Sequence, residues 1–372
     1  MTQVLASKTW PTVELGEVVE LKYGKSLPKS SRSGSGYPVY GSNGEVGRHE
    51  IALTTGVTIV VGRKGSHGAV NFSASACWPI DTTYFVDETC TSADLGWLKY
   101  RLTGLRLDEM NKAAAVPGLN REDAYRQKLL LPPIEEQRRI AAILDAADAL
   151  RAKRRQALAK LDTLTQAIFI DMFGDPIQPG REGLTTMSKL VEFVGGGTPS
   201  KSQAHFFDGD ICWATSKDMK SDLLTDTQDH ITEEAISKSS TKLVEPGAVL
   251  VVVKSKILAH TLPVAIATVP TCFGQDLKAL IPGSDVNSAF IASALRAAEP
   301  WLLSRTRGAN TEGLTLDELR RLPVPIAPPE TIADFEKVSA SVEAQRAEQK
   351  RAVRLCDNFF ASLQQRAFRG DL

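Results

Sequence analysis

The chain has 372 residues, with 44 Lys+Arg against 44 Asp+Glu, 42% hydrophobic and 6% aromatic residues. That is room for two or three domains with cores of their own, and the neutral balance excludes a general polycation, so any grip on nucleic acid must come from local patches or a partner. No apolar run approaches the roughly 18 residues of a membrane span, and the opening MTQVLASKTW lacks a signal-peptide core. Five scattered cysteines without a CxxC pair support neither a zinc ribbon nor a disulfide framework, so a cytoplasmic protein with no membrane partner is expected.

The first globular segment runs from about Trp10 to Pro133. A short helix places Leu15, Val18 and Val19 inward, and Gly24 turns the chain after it. YPVYGSNGEVGRHEIA alternates apolar and polar residues around the turn signal Asn43-Gly44, which predicts a hairpin. A buried strand, Val57 to Val61, leads into a glycine-rich loop from Gly62 to Gly68. A second strand follows, then WPIDTTYFV, another strand with Asp81 near its start, and a helix around Leu95 to Leu105.

Pro132-Pro133 then opens a long helix, PPIEEQRRIAAILDAADALRAKRRQALAKLDTLTQAIFIDMFGDP, that Gly174 and Pro176 stop. Its apolar residues recur every seven positions. Ile140, Ala147, Leu161 and Ile168 lie on one line, and Ile143, Leu150, Ala157 and Leu164 on the other, with Arg154 as the charged interruption. About 39 residues at ~1.5 Å each make a rod of ~58 Å, whose single seam needs a partner of equal length. The RAKRR run at Arg151 to Arg155 reads as a solvated face of that rod, with contact to a nucleic-acid phosphate as the alternative.

The second half repeats the outline. LVEFVGGGTPSKS echoes VVELKYGKSLPKS, with Val191, Glu192, Phe193 and Gly196 answering Val19, Glu20, Leu21 and Gly24. GAVLVVVKSKILAH corresponds to GVTIVVGRKGSHG, and Asp276 answers Asp81. A second double proline, Pro328-Pro329, opens a second long helix with a positions Phe335, Val342, Gln349, Cys356 and Leu363 and d positions Val338, Ala352 and Phe359. Phe173-Gly174-Asp175 and Phe368 with Gly370-Asp371 close the two helices. The chain is therefore a tandem duplication of a domain followed by a long helix. Strands and helices alternate without a βαβ rhythm, so the expected class is α+β with a mostly antiparallel twisted sheet.

For catalysis the residues are silent. Gly24-Lys25-Ser26 resembles the end of a phosphate-binding loop, but Val19 stands where its first glycine belongs. His49, His67, His205, His230 and His260 show no metal-ligand spacing, and neither a cofactor loop nor a nuclease core is found. Catalytic, cofactor-binding and metal sites are all expected to be absent.

The openings LGEVVELKYGKS and LVEFVGGGTPSKS carry a resemblance, together with VVGRKGSHG, LLLPPIEEQRRIAAILDAAD before FGDP, and the terminal LQQRAFRGDL. With these motifs nearly the whole chain resembles the specificity (S) subunit of type I restriction–modification systems. The resemblance implies two duplicated target recognition domains, separated by two long antiparallel coiled-coil helices. On that reading residues 1–133 are the first recognition domain, 134–172 the central spacer helix, 173–329 the second domain and 330–372 the C-terminal spacer helix. It implies a non-catalytic subunit that reads a bipartite double-stranded DNA target, one half-site per domain. Its protein partners would be two methyltransferase subunits and, through them, restriction translocase subunits. Two departures stand out: VVVKSKILAH lacks the glycines of Gly62, Gly65 and Gly68, and Glu330-Thr331-Ile332 replaces the EEQ run. The alternatives are the related subunit of a type II system, or a coiled-coil interaction protein that binds no DNA.

Base readout needs polar side chains on loops, with other cations on phosphates. In the first domain Lys25, Asn43, Arg63, Lys64, Ser66 and His67 are the candidates. In the second they are Thr215, Ser216, Lys217, Lys254, Ser255, Lys256, Arg305, Arg307 and Asn310. The helix seam expected to hold the rods or a partner consists of Ile140, Ile143, Leu150, Leu161, Leu164 and Ile168 with Phe335, Val338, Val342, Phe359 and Leu363. Residues 1–133 hold 15 basic against 13 acidic side chains and residues 173–329 hold 15 against 18. Little phosphate can then be neutralised by this chain alone, and tight binding is expected only with its partners.

Overall fold

The computed structural model describes residues 10–110, 118–307 and 313–372. The chain divides into two compact units, Met1–Arg155 with Arg351–Leu372, and Gln156–Lys350. In the first unit Thr12–Glu14 pairs antiparallel with Lys128–Leu130. A four-stranded antiparallel sheet follows the order Lys22–Tyr23, Thr83–Val86, Thr58–Gly62, Val70–Ser73. A three-stranded sheet follows the order Gly44–His49, Tyr37–Gly41, Trp78–Pro79, and its last pairing is parallel. Helix Leu95–Gly104 begins where the Asp94 carboxylate accepts from Trp97 N at 2.8 Å, which satisfies a free amide of its first turn. Its Trp97, Leu98 and Leu102 close a core with Leu15, Leu21, Ile59 and Val61.

The second unit repeats this frame with additions. Leu184–Thr186 pairs with Pro323–Pro325, and a five-stranded sheet runs Val191–Gly195, Leu277–Pro282, Val249–Val252, Val264–Ala267, Leu223–Leu224. A four-stranded sheet runs Asp229–Ile231, Ile211–Ala214, Thr271–Phe273, Leu243–Val244. Strand Ile211–Ala214 pairs parallel with Thr271–Phe273, as Tyr37–Gly41 does with Trp78–Pro79. Matching backbone bonds repeat with the strands: Lys25 N donates to Pro79 O at 3.0 Å and Gly197 N to Phe273 O at 2.9 Å. Ile80 N to Tyr40 O and Gly274 N to Ala214 O form a second such pair, both at 2.9 Å. The same loop is also held by a tryptophan in each unit, though from neighbouring strands. Trp78 Nε1 donates to Lys25 O at 2.9 Å, and Trp213 Nε1 to Gly197 O at 3.1 Å.

Several boundaries differ from those expected. The buried strand is Thr58–Gly62, with Val57 left exposed. The hairpin turns at Ser42 and Asn43, with Gly41 paired to Gly44. Asp276 occupies the place of Thr82 rather than Asp81: Val253 N and Lys254 N both donate to Asp276 O, as Arg63 N and Lys64 N donate to Thr82 O. Lys254 therefore answers Lys64.

The long helices span Ile134–Phe173 and Pro329–Arg369. In each unit the segments present run antiparallel. Arg151 and Arg155 both reach Asp357 at 2.8 Å while Arg139 donates to Leu372 O at 2.9 Å in the first. Asp162 meets Arg346 at 2.6 Å and Phe169 packs on Phe335 in the second.

Burial follows a period of seven, and within each unit it runs along one line of each expected seam and beside the other. On the central helix Ile140, Ala147, Arg154, Leu161 and Ile168 are at least half-covered, and their companions are Leu144, Arg151, Leu158 and Thr165. On the C-terminal helix Phe335, Val342, Gln349, Cys356 and Leu363 alternate with Ile332, Ser339, Arg346, Val353, Phe360 and Ala367. The second line is displaced by one residue on both helices, which leaves Leu150, Leu164, Val338 and Phe359 exposed and Ile143 only partly covered. The physical reason lies in the arginines. Arg151 lays its guanidinium over Phe360, 4.3 Å from the ring centroid, while its Nε donates to Asp357. Arg346 likewise sits on the seam and pairs with Asp162 and Asp222. A count of apolar residues passes over both positions.

Candidate nucleic-acid interface

In the first domain the glycine-rich loop is shaped by contact. Gly62 N donates to Ala69 O and Gly68 N to Gly62 O, both at 2.8 Å. A Cβ on Gly62 would stand 2.1 Å from Ser66 O, and Gly68, at φ +74, would meet Asp108 N at 2.1 Å. The loop thus holds Arg63 and Lys64 against Thr82 O, and Leu119 N donates to Arg63 O at 2.9 Å.

Arg63 then turns its guanidinium to Tyr23, 5.3 Å from the ring centroid, and Nη2 donates to Asp81 O at 2.6 Å. Arg121 lies at the same 5.3 Å from that ring. It comes from the short helix Arg121–Tyr125, whose start Asn120 caps by accepting from Glu122 N. Tyr23 is 50% exposed and leans on Tyr84, so an aromatic face flanked by two guanidinium groups meets solvent. The Nε atoms of Arg63 and Arg121 are buried without a hydrogen-bond partner. Tyr23 and Arg121 were not among the candidates. They lie 98 positions apart, and no local motif joins them.

The other candidates divide. Lys25, Asn43, Lys64 and Ser66 are exposed, Asn43 at the hairpin tip. His67 is partly buried with Nε2 3.1 Å from Met110 O, so it props the loop.

In the second domain Thr215, Ser216 and Lys217 form the turn after strand Ile211–Ala214. Asp218 Oδ2 accepts from both the backbone and hydroxyl of Thr215 at 2.8 Å, and Asp218 Oδ1 accepts from Gln228 N at 2.9 Å. The three line a cleft of about 450 Å³ with Lys201, Trp213 and Gln275. Lys254 and Lys256 are exposed, and Ser255 caps the turn Lys256–Ala259 by accepting from Ile257 N at 3.4 Å. Arg305 folds back instead, its guanidinium 3.7 Å from the Trp301 centroid and Nη1 3.0 Å from Trp301 O. Arg307 is exposed, with its backbone paired to Gly313. Asn310 lies outside the described residues.

Among the described residues one group of three side chains has the donor atoms and spacing to hold a metal ion: Cys212, Asp226 and His230. No helix among them is long and apolar enough to cross a membrane.

Comparison with known proteins gives a consistent picture. The chain is 31% identical over 196 residues to the type I restriction enzyme EcoR124I/EcoR124II specificity subunit of Escherichia coli, covering 51% of this chain and 47% of that protein. It is 28% identical over 142 residues to the EcoprrI specificity subunit of the same organism, 37% of this chain and 35% of that one. The chain thus matches about half the length, or less, of these curated relatives. Its fold is similar to a crystal structure of a type I restriction–modification S subunit from M. genitalium, with TM-score 0.63 at 15% identity over 99% of this chain and 98% of that one. A chain from a study of complex assembly and conformational transition in the type I system gives 0.59 at 18%, over 98% of each. The family described as "Type I restriction modification DNA specificity domain" matches twice, at residues 7–161 and 185–365, and with one copy on each repeat the chain belongs to that family.

Proposed function

We propose that this chain is the DNA sequence-recognition subunit of a type I restriction–modification complex, reading a bipartite duplex target with one half-site per domain. The supporting observation is the repeated frame with different chemistry at equivalent points. Where the first domain presents Arg63 and Lys64 against Thr82 O, the second presents Val253 and Lys254 against Asp276 O. A shared scaffold with changed loop residues is what two different half-sites require. The role is recognition, and methylation and cleavage belong to partners. Among the relatives, the specificity subunits of Escherichia coli carry the name of this role.

The partners in this reading are two methyltransferase subunits, with restriction translocase subunits joined through them, and the long helices serve as spacer. The exposed apolar residues Leu150, Leu355 and Phe359 on the helices of the first unit suit a protein partner, since among the described residues they stay 45–69% exposed. Neither domain carries a strong positive balance, which supports DNA binding as a property of the assembled complex.

The test is an exchange. Residues 10–133 are replaced by the matching domain of another family member, and the methylated motif of the reconstituted complex is mapped. One half of the motif should change and the other should persist. A motif altered in both halves, or in neither, refutes the reading.

A further inference from the structure

Cys212 and His230 stand opposite each other on the antiparallel strands Ile211–Ala214 and Asp229–Ile231. Residues in that relation have Cβ atoms ~4.5–5.5 Å apart, close enough for two side chains to share a ligand. Asp226 joins them from the segment that leads into the second strand. Its Oδ1 lies 2.9 Å from His230 Nε2 and 3.8 Å from Cys212 Sγ, and the three donor atoms all fall within 4.8 Å of one another.

We propose that Cys212, Asp226 and His230 bind one Zn²⁺ ion. A sulfur, an imidazole nitrogen and a carboxylate oxygen form a donor set that favours a borderline transition ion over Mg²⁺ or Ca²⁺. Donors at ~2.0–2.3 Å from a tetrahedral ion stand roughly 3.4 Å apart, so these side chains need to shift by about an ångström or less to enclose one. As the bonds form, Cys212 gives its thiol proton to solvent, and His230 gives up the Nε2 proton while the neutral ring keeps one on Nδ1. The ion replaces the hydrogen bonds that Asp226 Oδ1 accepts from the other two. The carboxylate is already oriented. Thr227 N donates to Asp226 Oδ1 at 2.9 Å, while Thr227 Oγ1 accepts from Trp213 N at 3.0 Å and donates to Asp229 O at 2.7 Å. Asp226 is exposed and His230 only partly covered, which leaves the fourth position to water.

The ion would clamp the two ends of the excursion from Ala214 to Asp229. That excursion carries Thr215, Ser216 and Lys217, so the consequence for half-site reading rests on the proposed function. Metal binding itself does not.

The experiment uses the purified full chain, stripped of metal and titrated with Co²⁺, then with Zn²⁺. One Co²⁺ per chain should bind with a thiolate-to-cobalt charge-transfer band, and Zn²⁺ should displace it. The band should vanish in Cys212→Ser, and affinity should fall at least ~10-fold in Asp226→Asn and His230→Gln. Asp226 is at the surface, so its variant tests the site without disturbing the core, and a circular-dichroism melt verifies that fold. Absence of the band in wild type, or equal affinity in wild type, Asp226→Asn and His230→Gln, overturns the proposal. Neither result depends on DNA binding.

Discussion

Phe169 of the central helix and Phe335 of the C-terminal helix pack edge to face, with ring centroids 5.6 Å apart and planes at 73°. Both are fully buried, and Phe173 and Phe290 complete the cluster with centroid distances of 5.0–5.4 Å. The long helices are therefore part of the core of the second unit. Truncation of Phe335→Ala should cost about 3–5 kcal/mol, the sum of lost transfer energy and a cavity the rigid ring cluster cannot close. Urea unfolding of the variant measures this, and a loss below ~1 kcal/mol would show that the cluster does not anchor the helix.

The displaced seam makes a paired prediction. Phe360 is 9% exposed and Phe359 58%, although the two are adjacent. Phe360→Ala should destabilise the chain by about 3–5 kcal/mol, whereas Phe359→Ala should cost under ~0.5 kcal/mol in the isolated chain. On the proposed function, Phe359→Ala should weaken assembly with the methyltransferase subunit instead. Denaturation and co-purification of both variants separate the two roles.

For DNA, Arg63 and Lys254 belong to different domains and should fail differently. Arg63→Ala is expected to cost about 1–3 kcal/mol in complex-level affinity and to relax only the first half of the target. Tyr23→Ala should act on that same half, since its ring is the surface both Arg63 and Arg121 lie against. Lys254→Ala, with a freely exposed ammonium, should lower affinity across sequences and reduce the salt slope by about 1. Competition binding with half-site mismatches at several salt concentrations reads all three.

Tyr84 gives the pH dependence. Burial, with the neighbouring Tyr23 hydroxyl second, pushes its phenol from the ordinary 10.0 up to about 12. The unfolded chain then releases this proton first as the solution turns alkaline. The stabilising contribution is present below pH 10 and is lost as the pH rises from about 10 to about 12. Tyr84→Phe removes this dependence. It also leaves Leu119 O without the hydroxyl that now donates to it at 3.2 Å, so it should be less stable near neutrality by about 0.5–1.5 kcal/mol. Unfolding free energies at pH 9 and pH 11.5 should differ less in the variant than in the wild type.

The duplication, the two rods and the loops that bear charge were all legible in the sequence, because each leaves a local mark. Double prolines open both helices, aromatic-Gly-Asp motifs close them, and a seven-residue period marks the length between. One line of each seam was legible for the same reason. The other was not, because positions one residue apart on a helix differ by only ~100° and the more apolar of the two attracts the assignment. Leu150 and Phe359 outscore Arg151 and Phe360 in that contest, or tie with them. Tertiary packing reversed it, since the Arg151 guanidinium stacks on the Phe360 ring and pairs with Asp357, which places an arginine on the seam. Tyr23 with Arg121, and Cys212 with His230, had no local mark at all. Strand register and loop path bring these residues together, and register is set by which faces bury, a property of the folded sheet.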